Sequence, residues 1–157
     1  MHPANWNPPR PGIVKINFDA AFPKSKSYYV TSNVARDHRG RCLWWSVNRI
    51  TGRPRVIDGE AHAALHALSK AKEMGYESIM LEGDNLRVIS TLQDNLSSDS
   101  SYGALIEESL ILSREFDLCT FTFVKRSGNL VAHAIANNYD SGYFEGQTLP
   151  LDLANIA

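Results

Sequence analysis

From Ile13 to Phe22 apolar and polar residues alternate, with Val14, Ile16, Phe18 and Ala20 on one side and Ile13, Lys15, Asn17 and Asp19 on the other. A period of two is the mark of a strand whose two faces meet different surroundings. Tyr28 to Arg36, rich in β-branched and aromatic residues, predicts a second strand, and Cys42 to Ile50 a third, with Trp44 and Trp45 on opposite faces. His38-Arg39-Gly40-Arg41 supplies the turn between them, so the three strands read as an antiparallel meander.

The period then changes. Ala61, Ala64, Leu65, Leu68 and Ala71 lie at helical spacing and predict a helix from about Asp58 to Met74, stopped by Gly75. Ser78 to Asp84 is a short fourth strand, and Val88, Ile89, Leu92 and Leu96 mark a second helix just after it. A polar linker, Ser97 to Ser101, precedes a third helix from Tyr102 to Phe116. Leu118 to Lys125 alternates again as a fifth strand, and a last helix follows Ser127 with Val131, Ala132, Ile135, Ala136 and Tyr139 on one stripe. The order β-β-β-α-β-α-α-β-α predicts an α/β fold. Its five-stranded sheet is mixed, antiparallel in the first three strands and parallel after them, with helices on both faces. The divisions are an N-terminal arm over 1–12, one domain over 13–139 and a tail of no clear period over 140–157.

Composition narrows the class. A chain of 157 residues suits a single domain with a full core. Hydrophobic residues at 43% and charged residues at 21% match an ordinary globular protein. No apolar run approaches the roughly 18 residues that span a bilayer, and the proline-rich start is unlike a signal peptide. Cys42 and Cys119 form no Cys-x-x-Cys pair, so reduced thiols in a cytoplasmic or nuclear protein are expected. The net charge of -1 pulls against nucleic-acid binding, unless several acids hold cations.

Three acids occupy places where ligands gather in open sheets: Asp19 near the end of the first strand, Glu60 in the first turn of the first helix, and Asp84 where the fourth strand meets the next helix. Oxygen donors suit Mg²⁺ and Mn²⁺, and two such ions can hold the attacking water and the leaving oxygen of a phosphodiester. Each acid also has a plainer reading. Asp84-Asn85 caps a helix, Glu60 complements the helix dipole, and Asp19 is solvated at a strand end. Arg36, Arg39, Arg41, Arg49, Arg53 and Arg55 crowd the second and third strands and the next loop, and Lys125 and Arg126 end the fifth. They read either as phosphate contacts or as a solvated basic face. One of Trp44 and Trp45 is available to stack on bases, the other being core. His62 and His66 stand at i, i+4 but lack an acidic third ligand at zincin spacing.

Several stretches resemble ribonuclease H of type 1, most closely the domains of plant non-LTR retroelement reverse transcriptases and their free-standing relatives. They are Trp6-Asn7-Pro8-Pro9 with Gly12, Lys15, Asn17 and Asp19; Ala35-Arg36-Asp37 with Gly40; Gly59-Glu60-Ala61; Leu81-Glu82-Gly83-Asp84; and Val124-Lys125-Arg126 with Asn129 and Val131-Ala132-His133. The resemblance implies an RNase H-like fold that cuts the RNA strand of RNA/DNA hybrids with Mg²⁺ or Mn²⁺. It implies Asp19, Glu60 and Asp84 as metal ligands, with His133 where relatives often carry a fourth carboxylate. Arg36, Arg39, Arg53, Arg55, Lys125, Arg126 and Asn129 are the candidate nucleic-acid contacts. The departures are the absence of a histidine in Arg126-Ser127-Gly128-Asn129, of a basic handle over Ser97 to Gly103, and of the asparagines often preceding the helical Glu, replaced by Val56 and Ile57. They imply weaker substrate affinity, or affinity supplied by a linked reverse transcriptase or another nucleic-acid-binding domain. The rivals are a catalytically silent binding or assembly module and a structure-specific DNase on the same fold.

Overall fold

The computed structural model describes residues 4–95, 101–139 and 144–149. β1 (Val14–Ala21), β2 (Tyr28–Arg36) and β3 (Cys42–Thr51) form the antiparallel meander. α1 (Val56–Glu73), β4 (Ser78–Gly83), α2 (Leu86–Gln93), α3 (Gly103–Ser113), β5 (Leu118–Phe123) and α4 (Leu130–Asn138) follow. A one-turn 3₁₀ segment, Arg126–Gly128, leads into α4. The sheet order is β5-β4-β1-β2-β3-β6, with β4 parallel to both β1 and β5.

The sixth strand corrects the sequence reading. β6 (Phe144–Gly146) lies in the segment expected to be an aperiodic tail and pairs antiparallel with β3. Three residues are too few to show a period, so hydrophobic pattern cannot find such a strand. Leu96, the linker residues 97–100 and the tail from 150 onward lie outside the described residues.

The alternation in β1 assigns the two faces. Ile16 and Phe18 join a core made with Ala35, Trp44, the alanines of α1, Ile79, Leu81 and the apolar sides of α2 and α3. Short alanine side chains let α1 lie close on the sheet. The other face carries Ala21, Val30, Val34, Trp45 and Val47 under Val131, Ala132, Ile135 and Ala136 of α4. The two tryptophans do lie on opposite faces, but both are interior, at 0% and 2% exposure, so neither is a base-stacking platform. Trp45 is covered by Tyr139 at 5.3 Å and donates to the Thr148 carbonyl at 3.1 Å. Among the described residues no helix is long and apolar enough to cross a membrane.

Candidate active site

β1 also sends Lys15, Asn17 and Asp19 to the α4 face, and all three are buried. Buried polar groups need partners. Lys15 lies 3.0 Å from Glu82 and donates to the Asn7 carbonyl at 2.7 Å. Asn17 donates to Glu82 and to Asn129, each at 3.0 Å, and accepts from the Trp6 indole at 2.9 Å. Asn129 donates to the Phe18 carbonyl at 2.9 Å. This network fixes the strand that ends in Asp19.

Glu60 and Asp84 reach Asp19 from separate elements, each directly after a glycine. A Cβ on Gly59 would collide with the Phe22 ring, and one on Gly83 would lie 2.5 Å from the Phe18 ring. The missing side chains let α1 and the end of β4 close on β1. The plainer roles fall to neighbours. Asn85, not Asp84, caps α2 by accepting from the Val88 amide at 3.1 Å. Asp58, not Glu60, closes the first turn of α1 by accepting from the Arg55 amide at 3.1 Å.

Asp19, Glu60 and Asp84 each offer an oxygen, and these atoms lie within 4.8 Å of one another. Asp19 Oδ1 and Glu60 Oε2 are buried and have no hydrogen-bond partner. Burial, and then the charge of Asp84, lifts the Asp19 carboxyl above its ordinary range. Burial and the neighbouring Asp19 push Glu60 up to about 10. The protein alone thus disfavours full ionisation of the cluster. A divalent cation reverses that balance by supplying the missing positive charge.

Two residues rim the cluster. His133 Nδ1 lies 3.0 Å from Asp19 Oδ2, and its side chain is 39% exposed. Arg126 donates from Nε to Asp84 Oδ2, and its Nη1 lies 3.0 Å from His133 Nδ1. Burial works against the Arg126 charge, but Asp84 outweighs it and raises the guanidinium further. The contact between Arg126 and Asp84 is a feature that sequence reading missed. Pattern places both residues at strand ends but says nothing of the rotamer joining them.

The other expected contacts separate. Arg36 and Asn129 belong to the interior and cannot meet a nucleic-acid backbone as they stand. Arg36 is 2% exposed, stacked 4.0 Å from the Trp6 ring centroid, and burial lowers its pKa to about 10. Asn129 is wholly buried in the Asn17 network. Arg53 is exposed but bridges the Pro23 and Lys26 carbonyls at 2.6 and 2.9 Å. Arg55 bonds Asp58 at 3.3 Å and Ser101 at 2.5 Å. Arg39 and Lys125 are exposed.

Residues 17–139 match the family described as reverse transcriptase-like. No curated protein matches the chain. Among solved structures, RNase H1 of the halophilic archaeon Halobacterium salinarum NRC-1 is similar at 25% identity, covering 80% of this chain and 95% of that one, with a TM-score of 0.72. The N-terminal RNase H domain of a Mycobacterium tuberculosis protein gives 18% identity, 82% and 93% coverage and a TM-score of 0.72. LC11-RNase H1 in complex with an RNA/DNA hybrid gives 15% identity, 79% and 94% coverage and a TM-score of 0.69. The family match spans most of the chain and the solved neighbours share its RNase H fold, so this chain belongs to the reverse transcriptase-like family within the RNase H-like superfamily.

Proposed function

We propose that the chain is a divalent-metal-dependent endonuclease that hydrolyses the RNA strand of RNA/DNA hybrids. The observation that carries this is the convergence of three carboxylates from three elements, with two buried oxygens left unpartnered among them. An all-oxygen donor set of this charge fits Mg²⁺ or Mn²⁺. Asp19, Glu60 and Asp84 would hold the metal, and His133 stands where it can add a nitrogen donor. Such ions, when bound in pairs, stabilise both the attacking and the leaving oxygen of a phosphodiester.

The protein's own groups do the positioning. Asn17 and Asn129 hold β1 so that Asp19 faces the cluster. His133 orients Asp19 through Nδ1. Arg126 supplies positive charge beside Asp84 and, at 58% side-chain exposure, can turn outward to a substrate phosphate. Lys125 and Arg39 add phosphate contacts, and Arg53 and Arg55 shape the loop before Glu60. A similar fold that binds an RNA/DNA hybrid supports that substrate class, which such a site would read through minor-groove shape and 2′-hydroxyls rather than sequence. Much of the basic side-chain complement is engaged within the domain, so a linked reverse transcriptase or another nucleic-acid-binding domain would add affinity.

A silent binding module is the second reading. The ion pair of Arg126 with Asp84 favours it, because that guanidinium already neutralises one ligand. End-labelled RNA/DNA hybrid, single-stranded RNA, duplex RNA and branched DNA, incubated with the protein in Mg²⁺ and in Mn²⁺, distinguish the readings. Hybrid cleavage that Asp84→Asn abolishes is the expected outcome. A folded wild-type protein that binds hybrid and cuts nothing would establish the silent module, and cleavage of branched DNA alone the DNase.

A further inference from the structure

The middle of α1 carries chemistry that the acid cluster does not use. His62 and His66 are one helical turn apart, and their ring centroids lie 4.1 Å from each other. Each ring is pinned through the same nitrogen. His62 Nδ1 lies 2.6 Å from the Tyr29 hydroxyl. His66 Nδ1 lies 2.7 Å from the Thr31 hydroxyl and 3.1 Å from the Asn48 amide. Tyr29 and Thr31 come from β2 and Asn48 from β3, so the sheet sets the orientation of both imidazoles. The Nε2 atom of each has no hydrogen-bond partner among the described residues.

We propose that His62 and His66 form a second cation site, selective for a borderline transition metal such as Zn²⁺, Ni²⁺ or Cu²⁺ and bound through the two Nε2 atoms. A ligating imidazole ordinarily donates its other N–H to an oxygen, which fixes tautomer and direction. The hydroxyls of Tyr29 and Thr31 provide such oxygens. Asn48 can present its own carbonyl after a half-turn of its amide. Imidazole binds these metals well, whereas Mg²⁺ prefers oxygen, so the two sites on α1 sort cations by softness.

Burial lowers the His66 pKa to about 4, with help from His62, which favours the neutral, ligating form of that ring. His66 also lines a cleft of about 130 Å³ with Ser46, Asn48, Ser69, Lys70 and Glu73. At roughly 30 Å³ per molecule that volume admits several waters beside His66. With two protein donors the site is open rather than structural. It stands whether or not the acid cluster is active.

The test uses the full chain without an affinity tag, in excess Mg²⁺, titrated calorimetrically with Ni²⁺. The wild type should bind one Ni²⁺, His62→Ala and His66→Ala should each lose at least tenfold in affinity, and Asp84→Asn should not change it. Tyr29→Phe keeps the ring and removes the hydroxyl, and should weaken binding by about 10- to 100-fold. If the histidine variants fail to fold, the Cu²⁺ electron paramagnetic resonance spectrum of the wild type decides, with two coupled nitrogens expected. Unchanged Ni²⁺ affinity in both histidine variants, loss in Asp84→Asn instead, or a Cu²⁺ spectrum without two nitrogens would overturn the site.

Discussion

Glu82 and Glu60 are both buried carboxylates, at 2% and 5% exposure, and their surroundings differ completely. Glu82 meets Lys15, Asn17 and Thr122, each at 3.0 Å. Glu60 meets other acids, and its Oε2 has no partner. One carboxylate is satisfied by the chain that carries it. The other keeps one oxygen buried among acids without a partner, open to a ligand. The contrast shows how one face of a sheet holds a structural network and a site side by side, with Gly83 alone separating Glu82 from Asp84.

Substitutions at the two positions should therefore act in opposite directions. The largest effect is at Glu82. Glu82→Ala leaves the buried Lys15 ammonium without its counter-ion, and urea unfolding should show a loss of about 3–5 kcal/mol. Glu60→Gln should instead stabilise the metal-free protein, raising the melting temperature by about 2–4 °C for each kcal/mol relieved. The sign follows from the raised pKa. The folded state holds the Glu60 proton more tightly than the unfolded chain, so its favourable contribution is complete below the ordinary value of 4.5. It is lost as pH rises toward about 10. The advantage of Glu60→Gln should thus grow with pH across that window, as melts at a series of pH values would show.

The histidine pair gives the smallest effect, with the pH dependence reversed. The folded pKa of His66 is lowered to about 4 from 6.5, so its contribution is present above 6.5 and lost as pH falls through 4. Denaturation between pH 7 and 4 should show a shallower loss of stability in His66→Gln than in the wild type. Equal slopes would mean that burial of this ring does not control its charge.

The alternation in β1 and the stripe on α4 are long enough to assign faces from sequence, and the three acids stand at element ends that pattern alone locates. Their convergence is not in the pattern, because it depends on Gly59 and Gly83 letting two elements close on Phe22 and Phe18. Arg36 and Asn129 read as surface residues by type. They are interior because Trp6 and Asn17, distant in sequence, supply their partners. Arg53 and Arg55 read as free cations, yet one clamps a loop and the other a helix start. Long-range satisfaction of polar groups is the information that a one-dimensional pattern lacks.

The claim that the acid cluster is an incomplete cation site is tested most directly by melting the wild type and Glu60→Gln with and without Mg²⁺, an ion that imidazole binds poorly. The wild type should melt lower than Glu60→Gln in the absence of metal and rise on adding Mg²⁺, while the variant barely responds. A wild type indifferent to Mg²⁺, with Glu60→Gln no more stable than it, would contradict the account.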